Sequence, residues 1–344
     1  MPAKQFEYSL SVTNTGRSFS EFGWETVDPG FIQTWKLAST DLRNRTVSFD
    51  QNSYVIEADW KAMVRRHARH YQCMLEVEKR QRQNPKKFHA VKFPRQPTKA
   101  RITLTSSDED RYRPDAIAET FVHDVFLIMN IAAPACCDFY GASLNRMNGS
   151  QEAVSDIALS NNLFESALDV FLAEAWADPN PLDVQTVVNW YYAVRSPASQ
   201  IASNPMERVL FSLLHMAKLD ASPVTVIWLF YAFESLLETR IGENLSAVVN
   251  RLALLLSLNE PTMKMIKKRM RILYDIRSSF VHGGFEITHI VQSELLDSRI
   301  SDKFGEIIEA TDHGYALLIA AIRKIITNGW RWPKFREELG GVGL

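Results

Sequence analysis

The sequence predicts an α+β N-terminal module followed by an all-α helical bundle, so that the chain is mostly α overall. Its length of 344 residues exceeds the usual size of one hydrophobic core, which favours two domains. Short alternating segments dominate the first hundred residues, whereas long amphipathic segments dominate from Pro114 onward. Glycine, serine and asparagine cluster between Gly141 and Gly149, so we expect one domain at residues 1–145 and a second at 146–344.

The N-terminal module is predicted to contain a small antiparallel sheet and one exposed helix. Segments rich in β-branched and aromatic residues are bounded by Asn, Gly, Asp or Pro, which is typical of strands. These predicted strands are residues 8–13, 31–37, 46–49, 53–58 and 101–105. Residues 59–82 lack glycine and proline and predict a helix, after which Pro85, Pro94 and Pro97 indicate a loop.

The remainder of the chain is predicted to be helical. Pro114 stands where helices favour proline, and the apolar run after it continues to residue 131. Asp-Pro, Asn-Pro, Ser-Pro and Gly-Gly pairs separate the later segments, because proline and glycine end helices. The further predicted helices are residues 152–177, 184–194, 205–219, 225–240, 245–257, 261–282 and 302–327.

Composition excludes several classes of protein. Hydrophobic residues make up 46% of the chain and charged residues 23%, which fits neither a disordered nor a membrane protein. The most apolar runs, residues 125–137 and 224–237, are too short to cross about 30 Å of hydrocarbon, so we expect no membrane contact. No signal-like segment follows the first residues, and the three cysteines form no C-x-x-C motif. A cytoplasmic location is therefore expected.

The net charge of −1 conceals a basic segment at residues 61–101, which holds thirteen Lys or Arg against two acids. Such a segment can meet a polyanion, and an RNA backbone is the candidate ligand. The candidate contact residues are Arg65, Arg66, Arg69, Lys86 and Lys87. The alternative is a solvated face and loop. His67 and His70 lie in this segment without a nearby carboxylate or thiol, so we predict neither a metal site nor a cofactor.

The most informative stretch is the amphipathic helix that ends at Gly283-Gly284. His282 falls at its last turn, where the helix dipole favours a protonated imidazole. Arg277 precedes His282 by five residues, so the two side chains diverge by roughly 140° on one helix. A phosphate could instead be held by Arg277 of one copy and approached by His282 of another. Asp275 and Ser278 share the face of His282, so either could orient the imidazole.

Glu234 is the only charged residue between residues 224 and 237, a run that also holds Trp228, Phe230, Tyr231 and Phe233. Burying a lone carboxylate is costly, so we expect a cationic partner, and Arg277 is the candidate. The alternative is that Glu234 occupies the one exposed edge of its helix.

These residues resemble a known family. The sequence YDIRSSFVHGG at residues 274–284 resembles the R-x4-6-H signature of HEPN domains, and especially of the Apea-like HEPN group. The helix WLFYAFESLLE at residues 228–238 is similar to that group's upstream glutamate-bearing helix, and residues 206–219 resemble the helix before it. The resemblance covers roughly residues 204–330. The bare R-x4-H spacing is weak, but the surrounding residues make the combination fairly specific.

The resemblance implies a helical bundle that forms a homodimer and, in active members, a metal-independent endoribonuclease. In that reading Arg277 stabilises the charged phosphorane, His282 moves protons and Glu234 holds the arginine. Ser278 departs from many nuclease members, which place Asn, Asp or His directly after the arginine. Similar proteins serve as toxins or antiviral, abortive-infection effectors, so an antitoxin or a phage trigger is an implied partner besides RNA. The alternative function is a catalytically inactive HEPN domain that serves as an RNA- or nucleotide-binding or dimerisation module.

Overall fold

The computed structural model describes residues 3–13, 24–49, 51–85, 96–108, 110, 112–147, 152–174, 176–218, 223–239, 245–289, 291 and 293–336. The protein is mostly helical, at 59%, with a small antiparallel sheet. It forms two compact units. The first comprises Met1–Ala173 and Asp178–Gln200, and the second comprises Glu174–Ala177 and Ile201–Leu344.

The first unit is built on a six-stranded antiparallel sheet in the order β2-β3-β4-β1-β5-β6. Its strands are β1 (Lys4–Val12), β2 (Asn44–Phe49), β3 (Asn52–Asp59), β4 (Thr98–Ser106), β5 (Ala142–Arg146) and β6 (Glu152–Asp156). Four of the five predicted strands are confirmed, as β1, β2, β3 and β4. The helices of this unit are α1 (Trp24–Asp41), α2 (Lys61–Gln83), α3 (Arg113–Ala132), α4 (Asn162–Ala173) and α5 (Val184–Val194).

One face of the sheet is apolar and buried, and the other is polar. Tyr8, Leu10 and Val12 of β1 and their neighbours Ile102 and Leu104 of β4 are buried. Helices α2 and α3 contact β4, and α1 packs against α2, α3 and α5. The alternate residues of the same strands point to the opposite face, because side chains alternate along a strand.

Two predictions about local structure are wrong. Residues 31–37 lie in helix α1 and not in a strand, because the buried positions Trp24, Phe31, Trp35 and Ala38 follow helical spacing. The predicted helix at 152–177 begins ten residues later, since Glu152–Asp156 forms strand β6 beside β5. Helices α4 and α5 belong to the first unit. The second unit consists of Glu174–Ala177 and Ile201–Leu344, whereas the glycine-rich stretch near residue 145 was the expected boundary.

The second unit holds helices α6 (Pro205–Ala217), α7 (Pro223–Leu236), α8 (Leu245–Leu256), α9 (Glu260–Val281) and α10 (Arg299–Thr327). Helix α10 contacts α7, α8 and α9, and α6 packs on α7. Gly314 of α10 lets that helix pack tightly against α7 and α9. A Cβ at this position would lie only 2.5 Å from Leu229 Cδ2 and 3.0 Å from Leu273 Cδ2. Every helix in the described ranges is either too short or too polar to span a lipid bilayer.

Candidate functional site

The candidate site is built on the C-terminal end of helix α9. The helix begins at a cap formed by Asn259, whose side chain accepts a hydrogen bond from the Thr262 backbone N–H, and Pro261 occupies its first turn. It ends at Val281, and His282 is the capping residue. Gly283 follows with a φ of +74°, a left-handed conformation that favours glycine. The predicted stop at the two glycines is therefore confirmed.

Arg277 forms the ion pair with Glu234 that the sequence predicted. The Arg277 Nη2 atom lies 3.2 Å from Glu234 Oε1. The guanidinium carbon also lies 5.4 Å from the centre of the Phe230 ring, and Phe230 and Glu234 are one turn apart on α7. Helix α7 thus holds the guanidinium through one carboxylate and one aromatic face.

The ion pair is only half-buried. The side chain of Arg277 is 32% exposed and that of Glu234 is 42% exposed. The Glu234 carboxylate is therefore paired with Arg277, as expected. It also lies near an exposed edge of α7, which was the alternative expectation for Glu234. Because the guanidinium has five N–H donors and Glu234 engages one edge, the remaining donors are available to a solvent-borne anion.

His282 is exposed at the end of α9. The Asp275 carboxylate pairs with Arg271 on the same helix, at 3.1 Å. The Ser278 carbonyl oxygen accepts the His282 backbone N–H, at 3.0 Å. Within the described ranges, the side chains of Asp275 and Ser278 make no hydrogen bond to the imidazole. The described chain therefore gives His282 no orienting group from the side chains of these two residues.

The predicted nucleic-acid contacts divide into three groups. Arg65 and Arg69 are exposed on α2. Arg66 is half-buried on the same helix, and its guanidinium donates to the Val12 carbonyl oxygen at 2.6 Å, to Thr98 Oγ1 at 2.8 Å and to the Thr13 carbonyl oxygen. Burial lowers the pKa of Arg66, which fits a structural tie between α2 and β1. Lys86 and Lys87 lie outside the described residues.

The two histidines of the basic helix have structural roles. His67 is buried. His70 Nδ1 lies 3.0 Å from Oδ2 of Asp28, a buried carboxylate on α1. Among the residues that the structure describes, no group of three His, Cys, Asp or Glu side chains could hold a metal ion.

Sequence reasoning missed a polar cluster in the second unit. Glu174 Oε1 accepts a hydrogen bond from Arg269 Nη1 of α9 at 2.7 Å and lies 3.2 Å from His313 Nε2 of α10. Trp176 Nε1 donates to the other carboxylate oxygen at 2.6 Å. Burial lowers the pKa of His313, and the charge of Arg269 lowers it further. No sequence pattern pointed to this cluster, since Glu174 is 95 residues from Arg269.

Comparisons with known proteins return no match: no protein-family model, no curated protein and no solved structure matches the chain.

Proposed function

We propose that the protein is a metal-independent endoribonuclease of the HEPN type that acts as a homodimer in the cytoplasm. The single observation that supports the proposal is the Glu234–Arg277 ion pair beside a helix end that presents His282 to solvent. This arrangement offers a positioned cation and an exposed imidazole within five residues of one another. Both are groups that cleavage of a phosphodiester requires.

RNA supplies its own nucleophile, which explains why so few protein groups suffice. The 2′-hydroxyl loses its proton to a base and its oxygen bonds to phosphorus, while the bond from phosphorus to the 5′-oxygen breaks. The departing 5′-oxygen receives a proton from an acid, and a 2′,3′-cyclic phosphate remains. An imidazole can give or accept these protons near neutral pH. Arg277 would stabilise the additional negative charge on the phosphorane.

Two copies of helix α9 are needed in this proposal. Arg277 and His282 diverge by roughly 140° on one helix, so a single copy does not aim both at one phosphate. A twofold-related pair of helices would set Arg277 of one subunit beside His282 of the other. The exposure of His282 and the unfilled donors of Arg277 fit such a shared site.

Cleavage of RNA in EDTA tests the proposal directly. We expect the purified protein to leave 2′,3′-cyclic phosphate ends, and we expect Arg277→Ala and His282→Ala each to reduce the rate by about 100-fold or more. Arg271→Ala is the matched control, because Arg271 is an exposed arginine of α9 that also pairs with a carboxylate. The control should retain the wild-type rate.

A wild-type protein that binds RNA without cutting it would contradict the proposal, provided that circular dichroism shows the folded state. Equal losses in Arg271→Ala and Arg277→Ala would also contradict it. A biological role as a toxin or antiviral effector, with an antitoxin or a phage trigger as partner, belongs to the same proposal. Growth inhibition on expression should then be relieved by His282→Ala and not by Arg271→Ala.

A second candidate function is a catalytically inactive HEPN domain that binds RNA or nucleotides or serves in dimerisation. Two observations favour it: Ser278 follows the arginine, and a hydroxyl is a poor acid or base. In addition, Glu234 partly neutralises the charge of Arg277. Under this function the two alanine variants would alter RNA affinity or the monomer–dimer equilibrium, with no cleavage to lose.

A further inference from the structure

A groove of about 590 Å³ lies on the first unit, where the polar face of the sheet meets the start of α2. Four of its lining side chains are cations: Arg43 before β2, Arg65 of α2, and Lys99 and Arg101 of β4. The lining also includes two carboxylates, Glu57 and Asp59, and the hydroxyls of Ser9 and Thr103. The groove is therefore large enough for a ligand of several atoms, and cations outnumber carboxylates in its lining.

The four cations have no ion-pair partner among the described residues. This distinguishes them from other arginines of the first unit, since Arg113 pairs with Asp108 at 2.7 Å and Arg146 pairs with Asp115 at 2.5 Å. Two carboxylates, Glu57 and Asp59, also line the groove, and Asp59 lies opposite Arg101 in the strand register while accepting the Lys61 backbone N–H at 3.0 Å. The groove thus carries four cations against two carboxylates, and its excess of positive charge is left to be balanced from solution.

The strand register places hydroxyl and amide groups beside these cations. Arg101 lies opposite Ser9 of β1, and Ser9 lies opposite Asn145 of β5. Lys99 lies opposite Ser11, which in turn faces Ser143. Two parallel rows of polar side chains therefore cross from β4 to β5. Hydroxyls, amides, arginine and lysine are the side chains that bind phosphate oxygens and sugars in nucleic-acid complexes.

We propose that this groove binds the sugar-phosphate backbone of single-stranded nucleic acid. The excess of cations over carboxylates in the groove provides the electrostatic attraction, and the polar rows on the sheet extend the contact beyond a single phosphate. None of the described lining residues is aromatic, so the groove contacts the backbone and does not stack bases. The site includes Arg65 but not the structurally engaged Arg66, and it adds Arg43, Lys99 and Arg101 to the residues expected from the basic segment.

Binding of an uncleavable strand to the full-length protein tests this proposal. The probe is a fluorescein-labelled 2′-O-methyl oligouridylate of about twelve nucleotides. Its binding constant is measured by fluorescence anisotropy at several salt concentrations between about 50 and 200 mM. Each phosphate contact contributes about 0.7 to the slope of log K against log salt for single strands. We expect Lys99→Gln and Arg101→Gln each to lower that slope by about 0.7 and to weaken binding about fivefold to tenfold at the lowest salt.

Lys36→Gln is the matched control, because Lys36 is an exposed lysine on α1 outside the groove. It should leave the slope unchanged and the affinity within about twofold, and all variants should retain the wild-type melting temperature. The proposal is overturned if the wild-type protein does not bind the probe, if Lys36→Gln and Lys99→Gln weaken binding equally, or if pyrophosphate binds as tightly as the oligonucleotide. Because the probe cannot be cleaved, these results do not depend on the proposed nuclease activity.

Discussion

His67 makes the folding free energy of the first unit sensitive to pH. The centroid of its ring lies 6.0 Å from that of Trp35, on which it stacks, and 6.2 Å from that of Phe31, which it meets edge-on. Its buried Nε2 atom has no hydrogen-bond partner among the residues that the structure describes. Burial lowers the pKa of His67 to about 3, and the charges of His70 and Arg66 add to this effect. Below pH 6.5, the pKa of His67 in the unfolded chain, the unfolded chain therefore binds a proton at His67 that the folded protein does not bind.

The free energy of unfolding should accordingly fall as the pH drops from 6.5 toward 3, and it should be fully retained above 6.5. The contribution of His67 amounts to about 2 kcal/mol between about pH 7 and about pH 5. We expect His67→Phe to remove this part of the pH dependence in urea denaturation. His289→Gln, which changes an exposed histidine, should keep it. Parallel pH profiles of wild type and His67→Phe would show that His67 titrates normally.

At the scale of single residues, the sequence predicts partners better than it predicts exposure. The Glu234–Arg277 pair followed from one carboxylate in an apolar run and one arginine in a motif. The burial of His67 and the structural tie of Arg66 did not follow, although both lie in the same basic segment as the exposed Arg65. Which face of α2 turns inward depends on its packing against α1 and β4, and this information comes from residues distant in sequence.

At the scale of elements, Gly314 controls how closely α10 approaches the helices that carry Glu234 and Arg277. In Gly314→Ala the added methyl group would meet Leu229 of α7 and Leu273 of α9, both of which are fully buried. Overpacking of this kind costs about 1–3 kcal/mol, whereas the better helix propensity of alanine returns only about 1 kcal/mol. We expect Gly314→Ala to lower the melting temperature and to reduce RNA cleavage by displacing the ion pair.

Gly305→Ala provides the comparison, because Gly305 lies on the same helix and no atom of the described residues lies within 4 Å of an added Cβ. That variant should gain up to about 1 kcal/mol of stability through helix propensity alone. If both alanines stabilised the protein, the packing of α10 against α7 and α9 would be looser than the distances at Gly314 indicate.

The secondary structure that could be predicted has strong local signals. Helix α9 has a capping asparagine, a proline in its first turn and a glycine stop, so its limits were predicted within a residue or two. The failures at α1 and β6 have a common cause. Alternating aromatic and β-branched residues made α1 resemble a strand, and β6 consists of five residues that pair with β5 without buried positions of its own. In both cases tertiary packing decides between patterns that local propensity leaves open.

At the scale of the whole molecule, the proposed nuclease site is incomplete in one subunit, and this can be tested by mixing inactive variants. Suppose that Arg277 of one subunit and His282 of the other form each site. A dimer of one Arg277→Ala chain and one His282→Ala chain then has one site lacking both groups and one site with both intact. If both groups came from the same subunit, every site of the mixed dimer would lack one of them.

Random exchange of the two variants in equal amounts should therefore restore about one quarter of wild-type cleavage, since about half of the dimers are mixed and each has one of two sites intact. The measurement is RNA cleavage in EDTA after the two inactive proteins are unfolded together and refolded. Two controls accompany it. Each variant refolded alone should stay inactive, and a mixture with Arg271→Ala in place of either variant should show about half the activity of refolded Arg271→Ala. Exchange demonstrated by mass spectrometry without recovered cleavage would rule out the shared site, while the single-variant losses would still establish whether both residues are required.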